Sequence, residues 1–292
     1  MRFAVTVMLW LAATAALVLA VPAGWAQLNI VDEDGYAAVA RKAAGDPALQ
    51  SAAAAELTTR AMALIAARGA YGASKHPVEG AQVHEIAAAF TAGPSFPPLF
   101  ADANRAAHRY LFSQPVSQAS SGDSWVIDVA PMLKDSAFAQ VLSSHNVTVP
   151  ATLTVPLTVS LSGQSVRQGQ LSRLAAWGPW VSLGAAVLSG FFGLLTLAAA
   201  RRRGKALTSL GVSALLVGAA GWAGIEIGSR YLNDALTGTT GDIRQIADVM
   251  VRHAEAGMHF WLNLTLIAGV VLAGLGVLVA ILGSVLRPKQ SA

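Results

Sequence analysis

Four long stretches without a single Asp, Glu, Lys or Arg constrain this chain more than any other feature. They cover residues 3–26, 174–200, 206–225 and 256–286, and each reaches the about 20 residues that a helix needs to cross a hydrocarbon core. Lipid offers no partner for a backbone N–H or C=O, so a spanning segment must satisfy its hydrogen bonds within itself, as an α-helix does. The chain is 54% apolar and 12% charged, against about 25% charged for an average soluble domain. The expected fold class is therefore an α-helical membrane protein: four transmembrane helices plus a small α/β domain, mostly helical with two or more strands, outside the cytoplasm.

The net charge of +4 is too localised to mark a nucleic-acid surface. Seven basic residues, Arg2, Arg201, Arg202, Arg203, Lys205, Arg287 and Lys289, flank the apolar runs with no acid among them. Residues 27–171 hold nine Lys/Arg against eleven Asp/Glu, so the rest of the chain is near neutral. Short Lys/Arg-rich segments stay in the cytoplasm, which places both termini and the turn at residues 201–205 inside. Tryptophan prefers the headgroup level, and five of seven (Trp25, Trp177, Trp180, Trp222, Trp261) lie at span ends that the charges place outside.

These signals divide the chain as follows: a first transmembrane helix at residues 1–26, an extracytoplasmic α/β domain at 27–173, and a second helix at 174–200. A cytoplasmic basic turn at 201–205, a third helix at 206–226, an outer amphipathic loop at 227–258, a fourth helix at 259–286 and a cytoplasmic tail at 287–292 follow. The expected location is the plasma membrane, and the lipid bilayer is the first partner. Residues 1–26 also read as a cleaved signal peptide, with Gly24, Trp25 and Ala26 as a small-x-small site. The apolar stretch from residue 3 to 21 exceeds the 7 to 15 residues of a signal core, which favours a retained anchor.

Within the outer domain, Asp32 and Asp46 with Pro47 read as helix starts. Leu49, Ala53, Leu57, Ala61, Leu64 and Ile65 form one buried stripe. Gly93 and Pro94 mark a turn between helices at residues 82–90 and 97–112. After a polar stretch at residues 117–124 the period drops from 3.6 to 2. Trp125, Ile127 and Val129 alternate with Val126, Asp128 and Ala130, and Leu153, Val155, Leu157, Val159 and Leu161 form a second alternation. Pro156 puts that second strand at a sheet edge or a bulge. Ile243, Ile246, Ala247 and Met250 give the outer loop a helical face that covers the larger domain or lies on the bilayer.

The chain has no cysteine, which excludes disulfides, thiolate nucleophiles and cysteine-ligated metals. His84 and Glu85 begin like a zincin motif, but Ala88 stands where the second His belongs. No Gly-x-Ser-x-Gly elbow, Ser-x-x-Lys pair or Walker-type loop occurs, and Ser74 and Lys75 are adjacent in a Gly-bearing loop. No catalytic residue, metal site or cofactor is therefore expected. Asn104 and His108, one turn apart on a helical face, and Asp128 on the first strand are the candidate ligand-binding residues. Each reads either as a structural polar contact or as part of a site.

Within the spans, Glu226 and His259 are the polar candidates, either snorkelling to the interface or pairing with each other. Nothing resembles a transport path. Small residues at Gly224/Gly228, Ala214/Gly218, Gly269/Ala273 and Gly276/Ala280 have the spacing of close helix packing, within the chain or in a homo-oligomer.

Val31, Asp32, Glu33, Asp34, Gly35 and Tyr36, then Asp46, Pro47, Ala48, Leu49 and Gln50, then Asn104, Arg105, Ala106, Ala107 and His108 make a recognisable series. Followed by a hydrophobic strand at residues 125–129 and three late spans, it resembles an uncharacterised family of actinobacterial integral membrane proteins. The resemblance implies a first span, an extracytoplasmic α/β domain and a place in the cell envelope; no enzymatic activity is established for that family, so it implies no mechanism. The functional expectation is a non-catalytic envelope protein that contacts a protein partner or lipid through its outer domain. Two alternatives are an envelope hydrolase using Asn104, His108 or Asp128, and an accessory subunit of a membrane transporter.

Overall fold

Ala200 apart, the described residues of each apolar run lie within a helix of the computed structural model, which describes residues 2–69, 80–112, 125–144, 147–157, 160–161, 164–165, 169–236 and 241–285. Most of the loop expected between Gly69 and Gly80, the polar stretch at 117–124, and Arg287 and Lys289 lie outside the described residues. The helices are α1 (Arg2–Ala26), α2 (Glu33–Ala43), α3 (Pro47–Gly69), α4 (Gly80–Thr91), α5 (Phe96–Phe112), α6 (Ala130–Leu133) and α7 (Ser136–Ser144). Three long ones close the chain: α8 (Ser172–Ala199), α9 (Arg203–Ala235) and α10 (Gly241–Val285). A π-helical turn, Gln27–Val31, follows α1.

Among the described residues four helices are long and apolar enough to cross a membrane: Phe3–Val31, Ser172–Ala199, Arg203–Asp234 and Gly241–Gly283. An 18-residue window within each has a mean hydropathy of 2.4, 1.9, 1.6 and 2.7, respectively. The chain divides into two compact units. One comprises Met1–Leu28, Ala176–Arg230 and Glu255–Ala292, and the other comprises Asn29–Ala175 and Tyr231–Ala254.

The apolar unit turns its large side chains outward. Val187, Phe191 and Leu194 on α8 are 60%, 53% and 69% exposed, the reverse of a water-soluble bundle and the arrangement expected of helices solvated by lipid. Its helices are joined by small and polar residues. Trp10 Nε1 donates to the Ser209 carbonyl at 3.1 Å, and Thr14 and Ser213 share a hydroxyl–hydroxyl bond of 2.8 Å, which ties α1 to α9. Ser189 Oγ on α8 donates to the Ala13 carbonyl at 3.4 Å.

Between α9 and α10 the backbones themselves meet. A Cβ built on Gly204 would lie 2.7 Å from both the Ala280 nitrogen and the Gly276 oxygen. One on Gly211 would lie 2.7 Å from the Gly269 oxygen, and one on Gly269 would lie 2.9 Å from the Gly211 oxygen. These glycines are required by close approach. Gly204, Gly211 and Gly218 on α9 face Leu262, Gly269 and Gly276 on α10, two rows that both repeat every seven residues and so keep one face of each helix on the other.

The second unit is built on helix caps and a single apolar core. Asp32 Oδ1 accepts from the Gly35 N–H at 2.8 Å to start α2, whose first turn carries Glu33 and Asp34 and whose last carries Arg41 and Lys42, as the helix dipole favours. Asp46 Oδ1 accepts from the Ala48 N–H at 2.9 Å to start α3, with Pro47 first in the helix. Leu49, Ala53, Leu57, Ala61 and Ile65 are buried along α3, while Leu64 is only partly buried. They meet Val83, Ala87 and Phe90 of α4, Phe96 and Phe100 of α5, and Phe138 and Leu142 of α7. Phe90 packs edge-on against Phe96 and Phe138 at centroid distances of 5.8 and 5.5 Å.

The strands are few. β1 (Trp125–Asp128) pairs antiparallel with β2 (Thr154–Leu157), with Ile127 opposite Val155 and Val126 opposite Pro156. β3 (Ser160–Leu161) and β4 (Gln164–Ser165) form a second, minimal ribbon. With two strands per sheet every strand is an edge, where a proline that lacks an N–H is tolerated. The long alternation from Leu153 to Leu161 is thus divided between two ribbons, and Thr158 and Val159 within it lie outside the described residues.

The segment read as an outer loop is helical over most of its described residues: residues 227–235 continue α9, and residues 241–258 run without a break into the last apolar run as α10, of 45 residues. No proline interrupts it, and a change of surrounding from polar to apolar does not break a helix. Its first turns supply Val249, fully buried, with Ile243, Ile246 and Met250 packed on the same core. That amphipathic face therefore completes the core of the second unit.

Candidate functional site

α5 carries the densest set of polar groups on this core. Phe96, Phe100, Ala103 and Ala107 hold its inner face, and the same spacing turns Asn104 and His108 inward, each 4% exposed. Their side chains find different partners. Asn104 Nδ2 donates to the Phe100 carbonyl of its own helix at 2.9 Å. His108 Nε2 donates to the Ile30 carbonyl at 2.9 Å, which pins the π-helical turn to α5.

A His that donates through Nε2 to a carbonyl is, when neutral, an acceptor at Nδ1. That Nδ1 is buried without a hydrogen-bond partner among the described residues. The ring is stacked on Phe112 at 4.2 Å and lies 5.2 Å from Tyr36. Burial pushes the Tyr36 hydroxyl up to about 12, so it stays a neutral phenol across the physiological range.

The outer face of α5 is ionic. Arg105 reaches Asp102 at 2.6 Å, Asp34 at 3.0 Å and Glu33 at 3.5 Å, and Arg109 reaches Glu33 at 3.4 Å. This network clamps the acidic first turn of α2 to α5. Its members are largely exposed, so each pair contributes on the order of 1 kcal/mol or less.

Asp128 is also occupied by backbone. Its Oδ1 accepts from the Ala130 N–H at 2.9 Å and the Leu153 N–H at 2.8 Å. One carboxylate oxygen thereby starts α6 and fixes the strand end of β2. Asn104 and His108 share a face, but neither bonds the other, and Asp128 is bonded to neither.

In the apolar unit, no ion pair joins Glu226 to His259 among the described residues. His259 instead stacks on Trp222 at 3.9 Å, with the planes 15° apart, and Trp222 Nε1 donates to Asn263 Oδ1 at 3.3 Å. Glu226 is exposed.

Two features were not expected from the sequence in the same degree. His253 Nε2 lies 3.3 Å from Asp46 Oδ2, linking α10 to the start of α3 across 207 residues of chain. The Ala48 N–H holds the Asp46 carboxyl below its ordinary value; burial opposes this, and the bond to His253 and the charges of His253 and Arg252 reinforce it. No sequence pattern announces such a distant pair. The glycine seam of α9 and α10, by contrast, is partly visible in the small-residue spacing. Among the described residues no group of three or more His, Asp or Glu is placed to hold a metal ion. Compared with family models, curated proteins and solved structures, the chain matches none.

Proposed function

We propose that this chain is a multi-pass plasma-membrane protein whose residues 27–173 and 227–258 stand outside the cytoplasm and bind another envelope component, a protein or lipid, without catalysing a reaction. The observation that supports this most is the use made of the polar groups. Asp128 holds the Ala130 and Leu153 amides, His108 Nε2 holds the Ile30 carbonyl and Asn104 bonds the Phe100 carbonyl of its own helix, so each of these contacts serves the fold. α1 is read as a retained anchor because Trp10 and Thr14 bond α9 directly. Both termini and the basic turn are assigned to the cytoplasm by the positive-inside rule. The resemblance to an actinobacterial envelope family belongs to the same reading.

A second reading, an accessory subunit of a transporter, draws on one observation. Gly224 and Gly228 leave a strip of α9 with nothing within 4 Å of a would-be Cβ, open to another helix.

Photo-crosslinking in native membranes from the exposed Ser51 on α3 and from Gly224, followed by mass spectrometry, tests both. Capture of a specific envelope partner from Ser51 supports the first reading, and capture of a larger membrane protein from Gly224 supports the second. Hydrolysis of an envelope substrate that Asp128→Asn abolishes, with unfolding unchanged, would overturn both in favour of an enzyme.

A further inference from the structure

The close approach of Gly204 to Gly276 leaves an open groove of about 380 Å³ beside it, lined by Lys205, Thr208, Val277, Ala280 and Ile281. One end is cationic and the floor is apolar. Val277 and Ile281 are 49% and 54% exposed. Lys205 is exposed, as are Arg201, Arg202 and Arg203 immediately before it, and among the described residues none of the four has a carboxylate partner. Thr208 Oγ1 donates to the Gly204 carbonyl at 3.0 Å and lies against Gly276 of α10.

We propose that this groove binds one anionic glycerophospholipid, with its phosphate on Lys205 and an acyl chain along Val277 and Ile281. The amphipathic lining matches a lipid rather than a free anion: a phosphate alone would leave the apolar floor unused, and a zwitterionic headgroup would bring a second positive charge toward the basic turn. The lipid comes from the leaflet that the basic turn faces. The proposal rests on the membrane reading above.

The test uses the full chain purified in a neutral detergent and exposed to equimolar phosphatidylglycerol and phosphatidylcholine with identical acyl chains, with bound lipid counted by native mass spectrometry. Phosphatidylglycerol is expected to be retained in preference. Lys205→Gln is expected to lower that preference about fivefold, the equivalent of ~1 kcal/mol for one basic residue at a membrane surface. Lys205→Arg keeps the preference, and Val277→Trp lowers occupancy by both lipids by filling the floor. Arg202→Gln, on the turn outside the groove, changes the ratio by less than about twofold.

Equal retention of the two lipids, equal losses in Lys205→Gln and Arg202→Gln, or displacement of the lipid by millimolar inorganic phosphate would each overturn the proposal. Extraction of the chain from membranes by alkaline carbonate would instead remove the membrane reading on which it stands.

Discussion

Replacing Gly211 by alanine puts a methyl group where two helix backbones touch. The new Cβ would lie 2.7 Å from the Gly269 oxygen and 2.8 Å from the Ala273 Cα. The Ala273 nitrogen is closer still, and ordinary contact between such atoms begins near ~3.5 Å, so α9 and α10 must separate locally by roughly 0.8 Å or more. A gap of that size also loosens the dispersion contacts of Gly204, Gly218 and Gly276 along the same seam. Overpacking of this kind costs about 1 to 3 kcal/mol, while the change from Gly to Ala returns up to about 1 kcal/mol through helix propensity.

A net loss of about 1 to 2 kcal/mol is therefore expected for Gly211→Ala. Gly224→Ala is the matched control, because it has the same helical gain and nothing within 4 Å to meet. Denaturant unfolding in mixed micelles, followed by tryptophan emission, compares the two. Gly224→Ala should match or exceed the parent in stability. If Gly211→Ala proved as stable as Gly224→Ala, the glycine seam would not be what brings α9 and α10 together.

Asp128→Ala leaves the Ala130 and Leu153 amides without their acceptor, and a loss of about 2 to 4 kcal/mol is expected by thermal unfolding, with Asp128→Asn losing less because its carbonyl still accepts. Asp46 has a folded-state pKa below its ordinary 3.8, so its contribution is complete above that value and is lost as pH falls through the lower folded value. Asp46→Asn should flatten that acid limb of a stability-against-pH curve, and an unchanged limb would contradict the assignment. Thr14→Val and Ser213→Ala should show a coupling of about 0.6 kcal/mol in a double-mutant cycle, as hydroxyl pairs between membrane helices do, whereas strict additivity would mean that α1 does not bond α9 there.

The apolar helices were legible because charge is so costly in lipid that runs of about twenty residues or more without it arise mainly where a helix must cross a bilayer. The buried stripe of α3 was legible because Leu49, Ala53, Leu57 and Ala61 recur every fourth residue. The end of the outer loop was not. Residues 252–261 pass from a charged to an uncharged stretch without any backbone signal, and the expected boundary before residue 259 falls inside one continuous helix.

The polar candidates on α5 followed the same logic. Their shared face was readable from the one-turn spacing, but a direct bond between Asn104 and His108 was not, because the nearer Phe100 and Ile30 carbonyls compete for the same donors. The long alternation from Leu153 promised a single strand. Pairing is a property of two segments, and among the described residues only Thr154–Leu157 lies opposite β1.

Orientation is the central claim, and the absence of native cysteine makes it directly measurable. Single substitutions Ser51→Cys on α3 and Arg202→Cys on the basic turn are both at exposed positions. Intact cells expressing each variant are treated with a membrane-impermeant maleimide, before and after lysis. The account predicts that Ser51→Cys labels in intact cells and that Arg202→Cys labels only after lysis. Labelling of Arg202→Cys alone in intact cells, or of both positions equally, would contradict it.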